Sequence, residues 1–174
     1  VVECYNPFTN TWRFVTNIPK DVEGFGLTSF GTKAYLFGGG VRSESGEAEL
    51  FDDVITYDFE TKKWTETGYQ PLPIKRVFVY SHSAPVIDGK VYLIGGLEET
   101  GETYSNSNRV DIYDPVTNSW KEGTPLPLPL QSHLTLCIGK KIYVIGGYND
   151  RDSENRSKNK VLSFDTNCSS IKRW

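Results

Sequence analysis

Cysteine is scarce in this sequence, and the few cysteines present are not spaced for pairing. The 174 residues contain three, Cys4, Cys137 and Cys168, with no short motif between them. An odd number at wide spacing argues against a disulfide scaffold and favours a reducing compartment. We therefore expect a cytoplasmic protein.

Long apolar runs and an excess of positive charge are also missing. The longest apolar runs are only a few residues, too short to span a bilayer. Lys and Arg number 19 against 22 Asp and Glu, a formal net charge of −3. Because binding to nucleic acid or to an anionic membrane depends on clustered Lys and Arg, neither is expected as a partner. The chain begins with Val1 and not with methionine, and we expect it to be part of a longer protein.

Two short patterns are present instead, and they recur along the chain with a common period. The first is a run of tyrosine and apolar residues that ends in a glycine pair, at residues 35–39, 92–96 and 143–147. The second is a nine-residue segment in which tyrosine is followed seven residues later by tryptophan, at 4–12, 56–64 and 112–120. Its tryptophan recurs at Trp12, Trp64, Trp120 and Trp174.

The local chemistry of both patterns indicates short antiparallel strands. The runs before the glycine pairs are rich in β-branched and aromatic residues, as strands are. A glycine pair allows positive φ angles or the close approach of a bulky neighbour. The Asn6-Pro7 and Asp114-Pro115 pairs have the chemistry of tight turns. Since no stretch shows a helical period, the sequence predicts an all-β fold with Trp64 and Trp120 buried at repeat positions.

The combined pattern resembles the kelch repeat over essentially the whole chain. That resemblance implies a β-propeller of about six four-stranded blades, with strands a to d running outward from a central channel. On this reading, residues 1–23 supply strands c and d of a first blade. The second, third and fourth blades comprise residues 24–74, 75–128 and 129–174. The chain then forms about three and a half blades.

An open ring of this size would leave apolar blade surfaces uncovered at both ends. We therefore expect the remaining blades to come from the same longer chain or from another copy of it.

The connections between strands b and c are where function is expected. Residues 40–52, 97–108 and 148–160 are long, polar and unlike one another, although the blades that carry them are similar. Dissimilar loops on a common frame are typical of recognition surfaces. We expect a protein ligand on the b–c loop face, contacted by b–c loop residues and by residues early in strand a. The predicted ligand-binding residues are Arg42, Arg76, Tyr80, His82, Glu98, Gln131, His133, Tyr148 and Arg151.

The resemblance leaves two non-catalytic roles open. The first repeat is most similar to those of BTB-kelch proteins, which implies a substrate-recognition adaptor of a cullin ubiquitin ligase. The other blades are equally similar to kelch proteins that cross-link actin, which implies a cytoskeletal scaffold.

An enzyme is the alternative from another class. Kelch mutarotases or oxidases that bind or modify sugars would need polar side chains at the channel mouth, and the candidates are Tyr80, His82, Gln131 and His133. The two histidines share one repeat position, but no third ligand recurs with them. We therefore expect no catalytic residues, no metal and no cofactor.

Overall fold

The computed structural model describes residues 1–44, 46, 48–77, 84–101, 103–149 and 160–166, and every regular element in them is a β-strand. In chain order they are β1 (Val2–Asn6), β2 (Thr11–Thr16), β3 (Gly26–Phe30), β4 (Lys33–Phe37), β5 (Gly40–Arg42), β6 (Ala48–Leu50), β7 (Val54–Asp58), β8 (Lys63–Thr65), β9 (Arg76–Val77), β10 (Val86–Ile87), β11 (Lys90–Ile94), β12 (Leu97–Thr100), β13 (Thr103–Asn106), β14 (Val110–Asp114), β15 (Ser119–Glu122), β16 (Leu134–Ile138), β17 (Lys141–Ile145) and β18 (Val161–Asp165). None of these described residues forms a helix that could cross a membrane.

The main sheets follow the predicted blades, and the all-β prediction is confirmed. Blade 1 is the pair β1-β2, blade 2 is β3-β4-β7-β8, blade 3 is β10-β11-β14-β15 and blade 4 is β16-β17-β18. Every pairing is antiparallel, so blades 2 and 3 run a-b-c-d in chain order. The fourth strand predicted for blade 4 falls in residues 167–174, which lie outside the described residues. The blade boundaries and the number of blades in a closed ring stay predictions.

The turns between strands c and d repeat one geometry. Each starts with a side-chain oxygen that accepts a hydrogen bond from the backbone N–H two residues on, at 2.9 Å for Asn6, 2.9 Å for Asp58 and 3.0 Å for Asp114. Each ends with a residue at positive φ, which is 53° at Asn10, 57° at Lys62 and 51° at Asn118. The tight turns predicted at Asn6 and Asp114 are therefore present, and Asp58 forms a third turn of the same kind.

The hydrophobic core lies between the blades. Between blades 2 and 3, the fully buried Phe37 meets Tyr113 and Trp120 edge-on, with ring centroids 5.6 and 5.8 Å away. Between blades 3 and 4, a second cluster is formed by Ile94, Val110, Leu126, Leu130, Ile142, Val144 and Phe164. Blade 3 is therefore packed on both of its faces.

The repeated tryptophans are less buried than the sequence predicted. Trp64 and Trp120 are only half-buried. Each donates its indole N–H across the blade junction, Trp64 to the last residue of β2 and Trp120 to the chain after β8. The acceptors are Thr16 Oγ1 at 3.3 Å and the carbonyl of Gln70 at 3.0 Å. Trp12 of blade 1 is 67% exposed. The indole thus acts as a contact between blades and not as part of a blade's own core.

The glycine pairs need both of the properties predicted for them. In blade 3, φ is 62° at Gly95 and 102° at Gly96. A Cβ at Gly95 would lie 2.6 Å from the carbonyl oxygen of Leu130 and 2.7 Å from Cε1 of His133, both from the next blade. Gly96 donates to the same carbonyl at 2.8 Å, and Gly39 makes the equivalent bond to Arg76 at 2.8 Å. The glycine pair is therefore a backbone junction between neighbouring blades.

Candidate protein-binding face

The b–c connections are β-hairpins where they are described, and not the loops that the sequence predicted. In blade 2, β5 pairs with β6 from Gly40–Leu50 to Arg42–Ala48. In blade 3, β12 pairs with β13 over four residues on each strand. Polar composition suggested loops, but antiparallel pairing satisfies the backbone donors and acceptors of such segments. In blade 4, residues 150–159 lie outside the described residues.

The segments that lead into strand a lie beside these hairpins. Glu23 forms a bridge with Gly40, and Gln131 forms one with Tyr148. In blade 3 the same contact is longer, since the two residues of β9 pair with Leu97 and Glu98 of β12. The b–c hairpins and the lead-in segments therefore share one end of the blades, which we call the b–c face.

The structure describes six of the nine predicted ligand-binding residues and brings all six to the b–c face. Arg42 is exposed, whereas Glu98, Gln131 and Tyr148 are partly buried. Arg76 and His133 are 0% and 1% exposed, so neither offers side-chain surface to a ligand. Tyr80, His82 and Arg151 lie outside the described residues. Binding by the exposed members stays a prediction.

A cross-blade contact that was not predicted joins the two hairpins. Tyr104 on β13 donates its hydroxyl hydrogen to the carbonyl of Ala48 on β6, at 2.5 Å, while 40% of the residue remains exposed. Ala48 pairs with Arg42, and Tyr104 pairs with Glu99. These four residues form a row across blades 2 and 3. The signal in the sequence was a lone aromatic residue within the polar segment 97–108.

A buried ion pair lies below this row, at the base of the blade 3 hairpin. Arg76 donates through Nη2 to Oδ2 of Asp111 and through Nη1 to the carbonyl of Gly95 at 3.2 Å. Arg109 holds the same carboxylate from the other side, with 2.8 Å between its Nη2 and Oδ1 and 3.3 Å between its Nε and Oδ2. Asp111 is 1% exposed. One buried carboxylate therefore binds two arginines.

The environments of the two arginines shift their pKa values in opposite directions. Burial lowers the pKa of Arg76, although the charges of Asp111 and Glu98 partly offset this effect. Hydrogen bonding to Asp111 raises the pKa of Arg109, which is 25% exposed at its side chain. Both guanidinium groups remain charged at physiological pH.

Blades 2 and 4 have apolar residues where blade 3 has this ion pair. On strand c, Asp111 pairs with Leu93. At the same register, Ile55 pairs with Leu36 in blade 2, and Leu162 pairs with Val144 in blade 4. The lead-in pairings align Arg76 with Val22 and Leu130, each directly before a bridged residue. The sequence contains this signal, because among blades 2, 3 and 4 only blade 3 has charged residues at both positions.

His133 is a buried neutral group at the junction between blades 3 and 4. Burial lowers its pKa to about 4, and a hydrogen bond with the backbone of Ile94 partly offsets this effect. The Cβ of His133 lies 3.0 Å from the position that a Cβ would take at Gly147. In blade 2, the Cβ of Phe25 lies 3.2 Å from the position that a Cβ would take at Gly39. His133 therefore occupies a packing position that phenylalanine fills in blade 2.

The described residues also contain a cleft between blades 3 and 4. It is lined by Tyr92, Val110, Ile112, Lys121, Glu122, Gly123, Thr124 and Phe164. Thr124 stands six residues before Leu130, as Gln70, which accepts from Trp120, stands six residues before Arg76. The tryptophan at the corresponding repeat position of blade 4 is Trp174, which lies outside the described residues. Among the residues described, no three His, Cys, Asp or Glu side chains are grouped to hold a metal ion.

Comparisons with known proteins bear on the whole chain. The family described as the KLHDC2/KLHL20/DRC7 Kelch-repeats domain matches residues 2–174. Alpha-scruin of Limulus polyphemus is 29% identical over 94% of this chain and 18% of its own length. Kelch repeat and BTB domain-containing protein 12 of Danio rerio is 28% identical over 94% of this chain and 28% of its own length. The chain thus spans less than a third of these two relatives.

The fold has a solved counterpart as well. The structure of YjhT superimposes with a TM-score of 0.77 at 18% identity, over 94% of this chain and 54% of that one. The family match and the repeated blade geometry agree with this superposition. The chain belongs to the kelch-repeat domain family, and its sheets are blades of a kelch β-propeller.

Proposed function

We propose that this chain acts as a non-catalytic protein–protein interaction module, with its protein ligand on the b–c face. The observation that carries the proposal is that two unlike hairpins, in blades 2 and 3, and the lead-in segments of three blades gather at one end. Exposed Arg42, 40% exposed Tyr104 and partly exposed Tyr148 lie there. Arginine and tyrosine are the side chains that contribute most when they are desolvated at interface centres.

Two biological settings fit such a module. The similarity to a relative whose name includes a BTB domain supports a substrate-recognition adaptor of a ubiquitin ligase. The kelch resemblance equally supports an actin or cytoskeletal scaffold. Both settings require the b–c face to bind protein, so one experiment addresses them together.

The sugar-binding or sugar-modifying alternative requires polar side chains that reach a small molecule. It depended on Tyr80, His82, Gln131 and His133 at the channel mouth. His133 is 1% exposed, which removes one of the four from contact with a small molecule. Gln131 is partly buried beside Tyr148, and the other two lie outside the described residues.

The partners also include further blades of a propeller. On strand d of blade 1, Trp12 and Phe14 are 67% and 59% exposed. On strand a of blade 4, Leu134 and Ile138 are 53% and 65% exposed. Between the inner blades, each blade covers the apolar face of its neighbour, and the covered residues form the two core clusters. We propose that further blades cover both faces.

The proposed binding face can be tested by comparing variants at opposite ends of the blades. A triple variant, Arg42→Ala with Tyr104→Ala and Tyr148→Ala, alters the b–c face. A matched triple variant, Glu60→Ala with Lys62→Ala and Val116→Ala, alters the c–d turns. Proteins captured with the wild-type module, identified by mass spectrometry, should be lost from the first variant and kept by the second. Both variants should be folded, as judged by circular dichroism. Loss of the captured proteins from the second variant alone would show that binding occurs at the c–d turns and not on the b–c face.

The proposal of further blades has its own test. Residues 1–174 alone should self-associate through the two exposed end faces, as sedimentation velocity would show. A monodisperse monomer that unfolds cooperatively would contradict it.

A further inference from the structure

The charged residues at the base of the blade 3 hairpin connect three separate segments. Arg76 lies on β9, Asp111 on β14, and Arg109 directly before β14. Glu98 on β12 is the cross-strand partner of Arg76, and its charge acts on both arginines. We call these four side chains the charge network. Hydrogen bonds join Arg76 and Arg109 to Asp111, and the backbone pairing of β9 with β12 connects this ion pair to the hairpin.

The charge network coincides with a more extended backbone pairing. In blades 2 and 4, the lead-in segment meets the chain after the glycine pair through one bridge, Glu23–Gly40 or Gln131–Tyr148. In blade 3, the contact extends over two residue pairs and forms a three-stranded sheet, β13-β12-β9. Of the two hairpins in the part of the chain that the structure describes, that of blade 3 is therefore continuous with the lead-in segment and that of blade 2 is not.

Stability alone does not explain a buried ion pair at this position. Desolvating two charges costs about as much as their attraction returns, and apolar replacements of similar size are often neutral or stabilising. At these two positions, blade 2 has Val22 and Ile55, and blade 4 has Leu130 and Leu162. The ion pair adds a fixed orientation of the two segments that it joins, because the hydrogen bonds between a guanidinium group and a carboxylate are directional and planar.

We infer that the charge network is a positioning device that holds the β12–β13 hairpin in one orientation on the b–c face. Arg76 and Asp111 are its buried positioning residues, and Glu98 and Arg109 are its partly exposed members. The hairpin carries Tyr104, so the network sets where that side chain meets the blade 2 hairpin. The functional value of this orientation rests on the proposed function, whereas the orientation itself does not.

Hydrogen–deuterium exchange on the full-length protein tests the inference without a ligand. The double variant Arg76→Leu with Asp111→Leu copies the apolar pair of blade 4, so the blade should remain folded. We expect backbone amides of residues 97–106 to exchange at least tenfold faster, while those of residues 40–50 keep their rates to within twofold. Unchanged exchange in residues 97–106 would overturn the inference.

A second variant covers the case in which the double variant fails to fold. Glu98→Gln with Arg109→Gln removes the two partly exposed charges and leaves Arg76 paired with Asp111. Exchange should again rise, by about threefold or more, in residues 97–106 only. No rise, or an equal rise in residues 40–50, would show that the charges do not position the hairpin. Because exchange reports orientation and capture reports binding, failure of this inference and failure of the proposed function are distinguishable.

Discussion

The two interfaces of blade 3 are built on the same backbone and filled with different side chains. Toward blade 2, the junction contains the ion pair of Arg76 and Asp111. Toward blade 4, the same two positions hold Leu130 and Leu162, and the neutral His133 packs beside them. The glycine-to-carbonyl bonds are 2.8 Å at both junctions. The backbone junction therefore maintains the spacing of the blades, and side chains are free to differ as long as each buried group is paired or neutral.

Adding a methyl group at a backbone junction should have the largest effect. A Cβ at Gly95 meets backbone 2.6 Å away, and φ there is 62°. Gly101 has nearly the same φ, 65°, with nothing within 4 Å of its Cβ. Gly95→Ala should lower the free energy of unfolding by about 4 kcal/mol and Gly101→Ala by about 1 kcal/mol, as urea denaturation would show. Equal losses would mean that φ strain alone accounts for the glycine pair.

Removing a tryptophan should lower the free energy of unfolding more in an inner blade than in an end blade. Trp120→Ala deletes a ring that packs against Phe37 and donates to Gln70, and we expect a loss of about 3 kcal/mol in residues 1–174. Trp12 is 67% exposed, so Trp12→Ala should cost under about 1 kcal/mol in the same chain. Similar losses in thermal unfolding, measured at dilutions where residues 1–174 do not self-associate, would contradict this difference.

The histidine at the blade 3–4 junction should make stability depend on pH. Its pKa is about 4 when folded and 6.5 when unfolded, so only the unfolded chain gains a proton between these values. Stability should fall as pH drops from 6.5 to 4, by roughly 3 kcal/mol in total. His133→Phe, which copies Phe25, should remove this dependence. Persistence of the same slope in that variant would contradict the assignment.

The carboxylates of the c–d turns should act in a lower pH range. Backbone hydrogen bonds lower the pKa of Asp58, and the Lys90 ammonium followed by backbone hydrogen bonds lowers that of Asp114. Their contribution to stability is fully present above pH 3.8, the pKa of the unfolded chain, and is lost as the pH falls through the lowered pKa values of the folded state. This loss should remain in the His133→Phe variant.

The smallest effect should come from the contact between hairpins. Tyr104→Phe removes one hydrogen bond to Ala48 and keeps the ring. Because that contact is partly exposed, we expect a loss of about 1 kcal/mol or less. Chemical shifts of residues 40–50 should change with it. Unchanged shifts there would mean that the two hairpins are independent in solution.

The repeat made most of the fold predictable. Glycine pairs, Asx turns and the tyrosine–tryptophan spacing depend on local geometry, so each could be read from residues close in sequence. The b–c hairpins were missed because their pairing has little apolar alternation, which is the usual signal for strands. Arg76 was predicted to bind a ligand because arginine is among the side chains that contribute most at interface centres. Its burial depends on Asp111, 35 residues away, and single-residue patterns do not reveal such a pairing.

A double-mutant cycle on Arg76 and Asp111 tests most directly whether a charged pair and an apolar pair are interchangeable at a blade junction. Asp111→Leu leaves two arginines without their carboxylate, and Arg76→Leu removes one of its two partners. We expect the first to cost about 3–5 kcal/mol, the second somewhat less, and the double variant to return to within about 1 kcal/mol of the wild type, measured by urea denaturation. If the two losses simply add in the double variant, the claim that the junction accepts either pair is wrong.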